Sequence, residues 1–164
     1  MSLFIITFIA FTVGIVLILC LKNVSPPPPQ EQIQFAHPSD KPTYLLDRDA
    51  FKEKCLEFLG KFNLEYKHSI WANEQELEID MLDETPVVGG KYLALCIFEP
   101  LHQRVDLFKV KGFIDTVKGE GAARGIMITT GYFSDDAQKA IDDDPVELVN
   151  VVSFLDYLKK FDIY

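Results

Sequence analysis

From Leu3 to Leu21 the chain runs LFIITFIAFTVGIVLILCL, nineteen residues without a charge, apolar on every side. At ~1.5 Å per residue a helix of that length spans about 28 Å, close to the ~30 Å hydrocarbon thickness of a bilayer. No positive segment precedes it and no small-residue cleavage site ends it, so a transmembrane anchor over residues 1–22 is expected rather than a cleaved leader. Residues 23–43 change character: Pro26–Pro29, Pro38 and Pro42 stand among Ser, Gln and Asn. Consecutive prolines favour extended polyproline II, the composition of a semi-rigid stalk.

From residue 44 onward the apolar positions fall into short alternating and helical periods. Asp47 caps a helix striped by Phe51, Cys55, Leu56, Phe58 and Leu59 and stopped by Gly60. Leu64–Trp71 and Glu76–Leu82 read as strands. Gly89–Gly90 turns the chain into a third, Lys91–Phe98, whose near-continuous apolar run suits a strand covered on both faces. A helix is expected over Val105–Val117, with Val105, Phe108, Phe113 and Val117 its apolar positions. A strand Ile126–Thr130, a helix capped by Ser134, a strand Val146–Val149 and a helix Val151–Lys160 with Val152, Leu155 and Leu158 inward complete the chain. The order α-β-β-β-α-β-α-β-α describes a three-layer α/β domain over 44–164, a central mixed sheet with helices on both faces, plus the transmembrane helix.

Composition supports a packed core: 48% hydrophobic and 12% aromatic residues in 164. Net charge is −9, and the few charges before residue 44 cancel, so the folded part carries all of it. That balance disfavours non-specific nucleic-acid binding, which draws its strength from basic residues on phosphates. Cys20, Cys55 and Cys96 form no CxxC or Cys/His cluster, which argues against structural zinc and for small core residues. His68 and His102 have no partner at metal-site or triad spacing, and His37 lies in the stalk. Lys22 directly after the apolar run places the domain on the cytoplasmic side of a single-pass membrane protein.

One stretch is more specific. Gly125–Ala137, GIMITTGYFSDDA, followed by VELVNVVSFLDYL, resembles the glycine, apolar strand, Thr-Thr-Gly, aromatic, Ser/Thr cap and Ala pattern of Mrr-type restriction endonuclease-like domains in the PD-(D/E)XK superfamily. The resemblance covers most of residues 47–158. It implies a metal-dependent DNA endonuclease fold in which the second strand ends in a metal-binding aspartate, here Asp80. It also implies a third strand carrying Gln or Glu, a spacer and Lys. Those two positions are Leu95 and Ile97, with Cys96 between.

Phosphodiester hydrolysis on Mg²⁺ needs two or more hard oxygen ligands and a group that orients water. Leu95 and Ile97 supply neither, and each catalytic element is commonly worth ~10²–10⁴-fold in rate. The expectation is a degenerate site in a DNA- or protein-binding module. The alternative is an active enzyme in which Asp80 and Glu78, two residues apart on one strand face, hold Mg²⁺. Lys109 or Lys111 on the following helix, or Lys91 at the strand start, would then stand in for the lysine. Glu99 is a candidate for the rim of the same pocket, while Pro100 beside it favours a turn.

Overall fold

The computed structural model describes residues 40–141 and 144–164 together with Ile33, Phe35 and His37. The expected anchor over 1–22 and most of the proline-rich stretch lie outside the described residues. Among the described residues no helix is long and apolar enough to cross a membrane.

A short 3-10 turn at Thr43–Leu45 leads into helix α1, Arg48–Gly60. Three antiparallel strands follow, β1 (Glu65–Trp71), β2 (Glu76–Asp83) and β3 (Gly90–Ile97). The two-residue strand β4 (Arg104–Val105) precedes α2 (Leu107–Gly119), β5 (Arg124–Thr129) and the equally short β6 (Tyr132–Phe133). Helix α3 (Asp135–Lys139), strand β7 (Val146–Val149) and helix α4 (Val151–Lys160) end the chain. The main sheet has the order β1-β2-β3-β5-β7, with β3, β5 and β7 mutually parallel; β4 and β6 form a separate small pair. Parallel neighbours need crossovers, and α2 and α3 supply them. The three-layer mixed-sheet architecture is the one the hydrophobic pattern describes.

Each helix begins where a side chain can take an orphan backbone N–H. Asp47 accepts from Ala50, Asp106 from Lys109, Ser134 from Ala137 and Asn150 from Ser153. The Asp106 cap corrects one expectation. Val105 is not helical; it pairs with Phe133 in the small β4–β6 ribbon, and the helix starts after it. The inward face rotates accordingly to Val110, Phe113, Ile114 and Val117, and leaves Phe108 82% exposed. Likewise α4 buries Val151 and Phe154 with Leu155 and Leu158, while Val152 is only half-buried.

The strands divide their side chains cleanly. Leu77, Ile79 and Met81 of β2 and Ala94 and Cys96 of β3 face α1 and α4, where Phe51, Cys55, Phe58 and Phe154 fill one core. Leu93, Leu95 and Ile97 face the other way, against Val110, Phe113, Ile114 and Val117 of α2 and Met127 of β5. Cys55 and Cys96 are free and fully buried, as core cysteines should be. Burial, with Cys96 beside it, pushes the Cys55 thiol well up and leaves it unreactive. His68 and His102 are exposed. Trp71 sits at a strand end with the Arg48 guanidinium 4.5 Å from its ring centroid.

Helix α2 lies closest to β5, because Gly125 has no side chain to hold it off. A Cβ there would sit 2.6 Å from Val117 Cγ2 and 2.8 Å from Phe113 Cε1. Packed so, the helix covers β5 and β3 and leaves the adjoining face of β2 open.

Candidate functional site

The open face of β2 carries Glu76, Glu78 and Asp80, alternate residues that point to one side by the period of a strand. Directly across on β3 stand Ile97, Leu95 and Leu93 respectively. These carboxylates form one wall of a cleft of about 390 Å³. Leu93, Leu95 and Phe113 make its apolar floor; Phe108, Lys109, Gly112 and Thr116 of α2 make the opposite wall, and Glu120 closes one end. Asp80 and Glu78 therefore do share one pocket.

The lysines divide between the acids. Lys109 Nζ sits 2.5 Å from Glu76 Oε1, two residues along the strand from Glu78 and four from Asp80. Lys91 reaches Asp80, its Nζ 3.4 Å from Oδ2, and also pairs with Glu120. Lys111 is exposed and is absent from the cleft wall. Of the three displaced amines the sequence offers, Lys91 is the one beside Asp80. The hydrogen bond to Glu120, with the charge of Asp80 behind it, holds the Lys91 ammonium above the ordinary lysine range. An amine so held is a cation at neutral pH and cannot take a proton from water.

Glu78 stands between these two groups, exposed, with no ion pair among the described residues. Acids alternating along one strand have their Cα atoms ~6.8 Å apart. Ligand oxygens on Mg²⁺ lie within ~2.1 Å of the ion, which leaves them about 3 Å from one another. Across the ladder, where a second ligand would come from, the side chains are hydrocarbon. No three His, Cys, Asp or Glu side chains among the described residues converge as a metal site. What β2 and β3 offer a Mg²⁺ ion is one row of carboxylates, with no ligand opposite.

Glu99 does not line the cleft, although the charges of Glu76 and Lys109 reach it. Burial pushes its carboxyl up, the charge of Glu76 adds to this, and Lys109 opposes it. A carboxyl raised in the folded state is penalised as its charge appears, so its contribution is favourable in acid and lost as pH rises through the folded-state value. Glu99→Gln should therefore melt at a higher temperature than the parent at pH 7. The gain should fade on acidification and vanish near the ordinary glutamate range, about pH 4, in thermal melts followed by circular dichroism.

The Thr-Thr-Gly stretch is structural. Thr130 Oγ1 accepts from the Glu99 N–H at 2.7 Å and donates to the Glu99 carbonyl at 2.6 Å, sewing the end of β5 to the end of β3. Thr129 Oγ1 accepts from the Gly131 N–H, and both threonines are fully buried. Gly131 packs on the Gln103 carbonyl, which would lie 2.6 Å from a Cβ. Glu76 was legible in the same alternation that marks Glu78 and Asp80. Glu120 was not: it lies just past a helix end, and nothing near it in the chain signals a partner twenty-nine residues away.

Residues 78–158 match the family model described as restriction endonuclease, Mrr_cat. No curated protein matches the chain. Among solved structures, the chain is similar to the DNA modification-dependent restriction endonuclease AspBHI, with TM-score 0.51 and 14% identity over 82% of this chain and 40% of that one. A second similar structure is the MspJI restriction endonuclease in complex with a 27-mer oligonucleotide, with TM-score 0.48 and 18% identity over 74% of this chain and 29% of that one. The chain thus spans less than half the length of either enzyme. Its element order, the Thr-Thr-Gly stitch and the family match agree, and the chain carries an Mrr-like, restriction endonuclease-like domain.

Proposed function

We propose that this chain is a membrane-anchored Mrr-like module whose cleft does not hydrolyse phosphodiesters and instead binds a partner. The observation that carries the reading is the open-side face of β3, Leu93-Leu95-Ile97, aliphatic at both positions where the resemblance expects Gln or Glu and Lys, with each residue buried. Asp80 then faces an ammonium and hydrocarbon rather than a second ligand. In this reading residues 1–22 anchor the protein in the cytoplasmic membrane, the proline-rich 23–43 act as the stalk, and the domain faces the cytoplasm.

The partner is a protein rather than DNA in our reading. The named neighbours are DNA-directed enzymes, and DNA is the partner class they suggest. Against it stand a domain charge of −9 and a cleft wall in which Glu76, Glu78, Asp80 and Glu120 outnumber Lys91 and Lys109. Phosphate recognition needs the opposite balance.

A second reading has one observation in its favour: Lys91 within 3.4 Å of Asp80, beside a cleft with room for a ligand. It makes the chain an active endonuclease, with Mg²⁺ on Asp80 and Glu78. The two readings part on a single assay. Full-length protein in detergent micelles, incubated with supercoiled plasmid and Mg²⁺ or Mn²⁺, is expected to leave the plasmid intact. Nicking that disappears in Asp80→Ala would establish the enzyme. A gel shift on duplex DNA at low salt is expected to show no retained complex; a complex with a steep salt dependence would return DNA as the partner.

A further inference from the structure

Resting on the non-hydrolytic reading, we infer that the cleft between β2 and α2 receives a basic side chain, arginine or lysine, from an extended segment of a protein partner. The shape comes first. The cleft, about 390 Å³, falls in the range of small-ligand pockets, with a hydrocarbon floor at Leu93, Leu95 and Phe113. Gly112, one helical turn beyond Phe108, leaves the helix wall without a side chain at mid-cleft, and a Cβ there would meet nothing within 4 Å.

The apolar lip comes second. Phe108 is 82% exposed on the first turn of α2, although the opposite face of the helix has ample aliphatic company. A ring held in water beside a carboxylate wall is suited to the stem and charged head of a long basic side chain, which packs on the ring and keeps its cation near the acid.

Charge complementarity selects the occupant. Glu76 is already paired with Lys109, and Asp80 and Glu120 share Lys91. Glu78, between them, has no pair among the described residues and remains exposed. One uncompensated acid at the centre, with neutralised flanks and hydrocarbon on the floor and opposite lip, fits one cation on an aliphatic stem. An anionic ligand would meet the charge of Glu78 head-on, and a bare apolar one would strand it.

The test uses full-length protein in detergent micelles and a fluorescein-labelled peptide, Ser-Arg-Ser-Leu-Arg-Ser, followed by fluorescence anisotropy near physiological salt. Saturable binding is expected, weakened about tenfold or more by Glu78→Gln and severalfold by Phe108→Ala. Both side chains are exposed, so neither substitution removes core packing. Glu53→Gln removes another exposed acid, on α1 across the sheet, and should leave the affinity unchanged. The same peptide with glutamate for arginine should not bind.

Absence of saturable binding, or an equal loss in Glu53→Gln and Glu78→Gln, would overturn the inference. Plasmid nicking by the same preparation is scored separately. Nicking without peptide binding ends both readings, and an intact plasmid without peptide binding ends only this one.

Discussion

Gly125→Val is expected to unfold the domain. The position lies at the closest approach of α2 to the sheet, and even the first added carbon would meet Val117 at 2.6 Å, Phe113 at 2.8 Å and Val146 at 3.1 Å. None of these is the loose end of an exposed chain: Val117 is fully buried, and Phe113 and Val146 are nearly so. Relief requires α2 to lift off β5, which uncovers Met127 and Leu95 beneath it. Overpacking by a methyl or two typically costs about 1–3 kcal/mol, and lifting a helix adds the burial lost. Total stabilities of small domains are about 5–15 kcal/mol. Gly125→Ala should therefore lower the urea midpoint of a folded protein, while Gly125→Val should show no cooperative transition by circular dichroism. A valine variant as stable as the parent would mean that the helix does not rest on β5 as described, and the cleft it borders would have to be redrawn.

Much of the fold was legible because its two periods are clean. The alternation ELEIDML predicts which β2 residues face the core, and Leu77, Ile79 and Met81 do. Asp47 and Ser134 declare their helices by capping chemistry that acts within three residues. The misreading at Val105 came from the same local logic. Asp106 is as good a cap as Asp47, but an apolar residue just before it joins a helical stripe as easily as a strand, and two-residue strands leave no period to detect. Phe108 is the apolar position that the resulting rotation of the helix face affects. It matches the stripe if Val105 is inward, and the rotation set by Val110, Phe113, Ile114 and Val117 turns it to solvent.

The site was legible by half. A face of a strand can be read from one strand, so Glu78 and Asp80 fall together without coordinates. Which acid the helix lysine meets depends on where α2 rests against the sheet, and that is set by Gly125, Val117 and Val146, residues with no chemistry of their own, while the β2–β3 register sets the partner of Lys91. Lys109 of α2 thus meets Glu76, and Lys91, at the start of β3, meets Asp80. The Thr-Thr-Gly pattern, the most specific string in the chain, turns out to stitch two strand ends, and its hydrogen bonds go to Glu99 rather than to the cleft lining.

Ile97→Lys, the change that puts the lysine expected by the resemblance back on β3, should cost about 3–5 kcal/mol rather than restore a nuclease. Ile97 is 2% exposed and belongs to the core that includes Val105, Val110, Phe133 and Ala137. An ammonium there loses its hydration, and a buried charge without a partner is among the most damaging single changes. The nearest carboxylate by register is Glu76, directly across the ladder, but it already holds Lys109. Freeing it gives the decisive comparison. In a Lys109→Met background Glu76 can turn to the new lysine, so the second substitution should return about 1–3 kcal/mol of the loss in a double-mutant cycle measured by urea denaturation. The chain's own pairing, helix lysine to strand acid over an aliphatic floor, would then be the arrangement to which this cleft is adapted. If Ile97→Lys proved neutral alone and the protein began to nick plasmid with Mg²⁺, the hydrocarbon at this position would be a single removable obstacle, and the domain an endonuclease one substitution away.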